Sequence, residues 1–192
     1  VMLVAHSSIT APTTDLPSDL TAIAIVLLRE EVREDAAETL SYFREQGVRV
    51  IVISGDNPHT VGAIARVVGL DGHEPIDART MGTTVEEISQ SLQRGNVFGR
   101  VSPEQKRTVV QALQEQGEVV AMTGDGVNDA PALKKSDIGV AMGITGTEVT
   151  KEAATMVLTD DNFATIVGAV KQGRAIYDNI VKFVRFQLST TL

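Results

Sequence analysis

The chain has 192 residues, enough for one α/β domain with a real core and short for two. Its formal net charge of -8 and sequence pI of about 4.9 argue against a nucleic-acid-binding groove. The cysteine count is 0, which excludes disulfides, thiolate metal sites and cysteine nucleophiles. In chain order, Val1 to Ala5 reads as a short strand without the basic leader of a signal peptide, and a polar loop with Pro12 and Pro17 follows. Ala22 to Leu28 is a continuous apolar run and reads as a buried strand. Glu34 to Gln46 is helical, and Gly47 ends it. Val48 to Ile53 is a second strand, Pro58 opens a helix to Val68, and Gly69 to Thr83 reads as a loop.

Thr84 and Glu87 have the spacing of a capping box, with a short helix to Gln93. Val97 to Val101 is a brief strand, and Ser102 with Gln105 caps a helix running to Gln116. Val119 to Met122 has the composition of a buried parallel strand. Ala130 to Lys135 forms a helical turn. Ile138 to Met142 and Met156 to Leu158 are strands separated by Thr147 to Ala154, and Phe163 to Gln172 is a helix. Such alternation with short joins means a doubly wound, mainly parallel α/β sheet. From Gly173 onward, Ile176, Ile180, Phe183, Val184 and Leu188 share one helical face, and Lys171, Arg174, Lys182 and Arg185 outnumber Asp178. Two readings stay open there: a terminal helix docked on its own domain, or a stalk approaching a bilayer from its cationic side. No stretch reaches the ~18 apolar residues of a membrane span.

The strand at Val119 to Met122 runs into Thr123-Gly-Asp-Gly-Val-Asn-Asp-Ala-Pro131, so Asp125, Asn128 and Asp129 sit on a glycine-punctuated turn at its carboxyl end. Ligands of open α/β sheets bind at that end. Hard oxygen donors on a tight turn suit Mg²⁺ carrying phosphate oxygens. The run superficially resembles the dinucleotide fingerprint, but Asp129 stands where its third glycine belongs and would repel a pyrophosphate. A loop that merely turns the chain is the plain alternative. Two further strand ends deliver Ser54, Gly55 and Asp56, and Arg100 with Lys106 just inside the next helix. Each alone reads as a turn or a surface charge. Together they supply a hydroxyl and an amide for phosphoryl oxygens, a lysine for charge and carboxylates for a metal, the parts that phosphoryl transfer requires. His6, His59 and His73 show no metal-ligand spacing.

The segment Met122 to Gly143 resembles the hinge signature of P-type ion-pumping ATPases, members of the haloacid-dehalogenase-like superfamily. Val50 to Asn57, Phe98 to Lys106, Gly146 to Ala154, Thr159 to Ile166 and Gly173 to Asn179 carry further matches, the last two resembling the cation-pump branch that includes calcium ATPases. The resemblance implies that Asp125 is a Mg²⁺ ligand, with Asp129 supporting the metal site or Lys106. It implies that Asn128 bonds the transferred phosphoryl group, that Lys106 neutralises it, and that Ser54 and Gly55 hold its oxygens. Asp56 and Arg100 would meet ATP, and Arg33 would match the arginine of the family's DPPR segment.

Two departures stand out. Glu30-Glu-Val-Arg33 replaces DPPR, and no DKTGT motif, which carries the phosphorylated aspartate, occurs in these residues. The implied organisation is a return segment from a nucleotide-binding domain over 1–21, part of a phosphorylation domain over 22–172, and a stalk helix over 173–192 leading to a membrane segment. The sheet would then be incomplete where the nucleophile's strand is missing, inviting dimerisation or complementation by another chain. The implied cofactors are Mg²⁺ and ATP, and the implied partners are the nucleotide-binding, actuator and membrane parts of the same pump. The chain itself would be a soluble, inactive portion on the cytoplasmic side of a multi-pass membrane protein, with calcium or another metal cation as the transported ion. A soluble phosphatase of the same superfamily and a non-catalytic binding module are the alternatives.

Overall fold

The computed structural model describes residues 2–9, 16–27, 31–70 and 74–191. Val1, Pro12, Leu28, Glu30, His73 and Leu192, which figure in the readings above, lie outside the described residues. Val1–Val32 and Arg33–Leu192 form two compact units.

In the first unit, β1 (Met2–His6) and β2 (Thr21–Val26) pair antiparallel, with Leu3 opposite Ile25 and an irregularity between Val4 and Ala5. Asp19 receives hydrogen bonds from Ser7 Oγ, Ser8 Oγ and the Ser8 N–H, which hold its carboxyl down at about 2. The sequence predicts a buried strand at 22–28. Ile23, Ile25 and Leu27 are instead exposed: among the described residues this unit is a two-stranded ribbon, which buries little by itself.

The second unit alternates helix and strand: α1 (Ala36–Glu45), β3 (Val52–Ile53), α2 (Pro58–Val67), β4 (Ile76–Asp77), α3 (Val85–Arg94), β5 (Val97–Gly99) and α4 (Pro103–Glu115). It continues with β6 (Ala121–Gly124), α5 (Ala130–Lys135), β7 (Ile138–Met142), α6 (Glu148–Ala153), β8 (Met156–Leu158) and α7 (Thr165–Thr191). Among its described residues all strand pairs are parallel, in two three-stranded sheets of order β3-β5-β4 and β6-β7-β8. One core joins both sheets, with Phe98 of β5, Ile88 and Leu92 of α3, Val110 of α4 and Leu133 of α5 almost wholly buried. Apolar residues packed from both sides of short parallel strands give the doubly wound α/β architecture. Among the described residues, β3 pairs only with β5, and β6 only with β7.

Several boundaries differ from the sequence reading. β3 keeps only Val52 and Ile53, the residues that find partners in Val97 and Phe98. β6 begins two positions after Val119, where Ala121 first finds a partner in Ile138, and runs on to Gly124 opposite Ala141. The expected loop at 69–83 contains β4 and a 3₁₀ turn, Ala78–Thr80. Such two-residue strands are too short to show periodicity. The helices expected before and after Gly173 are one helix, α7, uninterrupted by Gly168 or Gly173. Each glycine costs about 1 kcal/mol, which 27 residues of cooperative helix absorb. The start of α7 meets α1, where Lys171 Nζ stands 4.7 Å over the Tyr42 ring and Phe163 packs 5.4 Å from Phe43. Further on, Ile176, Ile180, Phe183 and Leu188 are exposed, so this face does not dock on the unit's own core. Among the described residues, no helix is long and apolar enough to cross a membrane.

Candidate phosphoryl and metal site

β3, the start of α4 and the end of β6 meet at a cleft of about 290 Å³, lined by Ser54, Gly55, Lys106, Asp125 and Asp129. Ile53, Met122 and Met142 supply its apolar part. Three stretches far apart in sequence therefore deliver their polar groups to one place, at the carboxyl ends of parallel strands.

Local structure explains each placement. Ser54 extends the β3 ladder by donating its N–H to Phe98 O at 3.0 Å and accepting from Val101 N at 2.9 Å. Its Oγ accepts the Asp56 N–H at 3.1 Å, which turns the chain and leaves Gly55 open. Pro103 stands in the first turn of α4, and the Ser102–Gln105 capping box fixes the helix start. Gln105 does more than cap. Its Nε2 donates to Ala78 O at 2.8 Å and Gly82 O at 2.9 Å, tying α4 to the turn after β4. Lys106, next in sequence, thus enters the cleft from a doubly anchored helix end.

After β6 a 3₁₀ turn, Val127–Asp129, folds Asp129 back toward Gly124. A side chain at Gly124 would place its Cβ 2.5 Å from Asp129 Cβ, so only glycine allows the approach. Asp129 Oδ1 then receives Lys106 Nζ at 2.6 Å, and its Oδ2 receives the Gly126 N–H at 3.4 Å. Asp125 is exposed, and among the described residues its carboxylate accepts no hydrogen bond. Its carbonyl accepts from Thr147 N at 3.0 Å and Thr150 Oγ at 3.2 Å.

Among the described residues, no three His, Cys, Asp or Glu side chains converge. The chain offers a pair, with Asp125 open and Asp129 engaged by Lys106. Mg²⁺ is commonly held by one or two carboxylates, water and substrate phosphate, so this donor set fits it.

The other sequence candidates lie outside the cleft lining. Asn128 is exposed on the same turn as Asp125. Arg100 has a left-handed backbone, φ 56°, held by its N–H to Asp56 O at 2.8 Å. Its guanidinium turns to Asp77 Oδ2 at 3.2 Å. Arg79 also clasps Asp77, and this bonding, aided by the charge of both arginines, holds the carboxyl well below the usual range. Arg33 is not gathered with the others. It donates to Asp161 O at 3.1 Å and lies 3.7 Å from Asp35, because it leads into α1 beside the segment after β8. The sequence reading misses Asp77, Thr147, Thr150 and Asp161. Thr147 has the signal of a helix cap, and Asp161 sits inside the recognisable 159–166 stretch.

The chain matches a haloacid dehalogenase-like hydrolase family over residues 6–137, and a second family of that description over residues 105–170. It is 45% identical over 197 residues to the endoplasmic reticulum-type calcium-transporting ATPase 4 of Arabidopsis thaliana, covering 98% of this chain and 19% of that one. It is 46% identical over 192 residues to the calcium-transporting ATPase CtpE of Mycobacterium tuberculosis, covering 100% of this chain and 24% of that one. A solved zinc-transporting PIB-type ATPase in the E2.Pi state superposes with a TM-score of 0.64 at 33% identity, over 85% of this chain and 22% of that one. The chain therefore spans about a fifth to a quarter of these curated relatives. Fold, cleft and similarity along nearly the whole of this chain agree: the chain belongs to the haloacid dehalogenase-like hydrolases, with P-type ATPases among its relatives.

Proposed function

We propose that this chain is the metal- and phosphoryl-binding part of the phosphorylation domain of an ATP-driven cation pump. The meeting of Ser54, Gly55, Lys106, Asp125 and Asp129 in one cleft carries the reading. The relatives' names favour calcium as the ion and a pump over a soluble phosphatase or a binding module. Residues 1–21 would return from a nucleotide-binding domain, 22–172 would belong to the phosphorylation domain, and 173–192 would lead toward the membrane on its cytoplasmic side.

In this role Asp125 is the principal Mg²⁺ ligand. Asp129 holds Lys106 at the edge of the site and completes the metal's surroundings. Asp125 and Asp129 would hold Mg²⁺, whose charge would offset that of the phosphate. Lys106 places a positive charge against the phosphoryl group, and Ser54 Oγ and the Gly55 N–H receive its oxygens. Asn128 donates from the Asp125 turn. Arg100 and Asp56, joined through the backbone outside the cleft, would meet ATP, as would Arg33, which here donates to Asp161 O. The phosphate acceptor is an aspartate that these residues do not include, so the chain alone has no ATPase turnover.

The test is phosphoprotein formation from radiolabelled ATP in the intact protein containing these residues. Acid-stable, Mg²⁺-dependent label is expected, and Asp125→Asn and Lys106→Met each lower it at least about 100-fold. Mg²⁺-dependent ATP hydrolysis by the 192-residue chain alone, lost in Asp125→Asn, would overturn the proposal.

A further inference from the structure

The carbonyl of Asp125 is held by two donors that phosphoryl binding does not call for, Thr147 N–H and Thr150 Oγ. Thr150 is fully buried, and its hydroxyl also lies 2.6 Å from that of Thr147. Both threonines open α6, where Thr147 is the cap. Their position depends on the loop joining β7 to α6, residues 143–147.

That loop has little freedom. Gly143 N–H donates to Leu158 O at 2.8 Å. The Asp161 carboxylate takes the next donors: Ile144 N at 2.8 Å, Thr145 N at 2.7 Å and Thr145 Oγ at 2.8 Å. Gly146 passes so close to Met142 O that a Cβ would stand 2.0 Å from it. Asp161 itself has a left-handed backbone, φ 50°, which aspartate tolerates better than most residues. Its carbonyl accepts Arg33 Nη1. One carboxylate thus gathers three donors of a loop whose far end grips the backbone of the open carboxylate in the cleft. Ligands borne on loops owe their direction to such outer hydrogen bonds.

We infer that Asp161 is a positioning residue for the metal end of the cleft, orienting Asp125 through the 143–147 loop and Thr150. The inference rests on the reading of Asp125 as a Mg²⁺ ligand. Asp161 touches neither metal nor phosphate; it acts through the backbone.

The test is titration of MgCl₂ into the ¹⁵N-labelled 192-residue chain, following the amide signals of Asp125, Gly126 and Asn128. Wild type is expected to show saturable shifts. Asp161→Asn keeps the side-chain size and the left-handed backbone but loses one acceptor, and should weaken Mg²⁺ binding about 10-fold. Asp160→Asn removes the same charge next door, where the carboxylate bonds Thr165 and Asn162, and should change binding less than about twofold. Thr150→Val should weaken binding, and Thr150→Ser should restore it. If Asp161→Asn fails to fold, the Thr150 pair decides. Wild-type affinity in Asp161→Asn or in Thr150→Val, or equal weakening by Asp160→Asn, overturns the inference. Absence of saturable shifts in wild type instead overturns the reading of Asp125 as the metal ligand.

Discussion

Lys106 Nζ and Asp129 Oδ1 lie 2.6 Å apart, with only 12% and 11% of their side chains exposed. Two opposite charges this far out of water depend on each other. Removing one partner leaves the other uncompensated, which commonly costs about 3–5 kcal/mol, whereas removing both relieves the penalty. Lys106→Met should therefore lower the urea midpoint more than Lys106→Met combined with Asp129→Leu. Equal or greater loss in the double variant would show that the pair is not coupled in this way.

Gly124 and Gly55 line the same cleft but should respond oppositely to a methyl group. At Gly124 the new Cβ meets Asp129 Cβ at 2.5 Å and must push it off Lys106. Gly124→Ala is expected to destabilise by about 1–3 kcal/mol. At Gly55 no atom lies within 4 Å of the position, so Gly55→Ala should stay within about 0.5 kcal/mol of wild type. Chemical denaturation of the two variants makes the comparison.

Gln105 carries more than its cap. Ser102→Ala removes one helix-capping acceptor and should cost about 1 kcal/mol. Gln105→Ala also strands the carbonyls of Ala78 and Gly82, and unmet buried acceptors add about 1–3 kcal/mol. A larger midpoint loss for Gln105→Ala than for Ser102→Ala is expected. The reverse order would reduce Gln105 to its capping role.

The bonds from Ile144 N–H foremost, then from Thr145, lower the Asp161 pKa from 3.8 to about 2. A folded pKa below the unfolded one means that its contribution to stability is complete above about pH 4 and is lost as pH falls through about 2. The amide signals of Ile144 and Thr145 should titrate with a midpoint near 2. A midpoint at the ordinary value of 3.8 would show that the carboxylate does not hold the loop.

Legibility in the sequence followed the range of the interaction. Both capping boxes, at Thr84 and Ser102, form as their spacing predicts. So does the end of α1, where Gly47 takes the left-handed φ of 73° that few other residues accept. The strands β7 and β8 have the predicted bounds, since each is a short apolar run between turn residues. β2 shows the limit. Its apolar run predicts a strand correctly but not its exposure, because burial depends on what covers a face.

The same division holds at the site. The sequence by itself determined the alternating α/β order and the hard-oxygen donors at a strand end, because strand period, helix caps and the turn chemistry of Gly, Asp and Asn are local. Only the tertiary structure decided that Lys106 closes on Asp129, 23 residues away, that Arg100 turns to Asp77, and that Asp161 holds the loop behind Asp125. Those pairings follow from how parallel strands stack their carboxyl ends and from which loops then meet, a geometry no window of neighbouring residues contains.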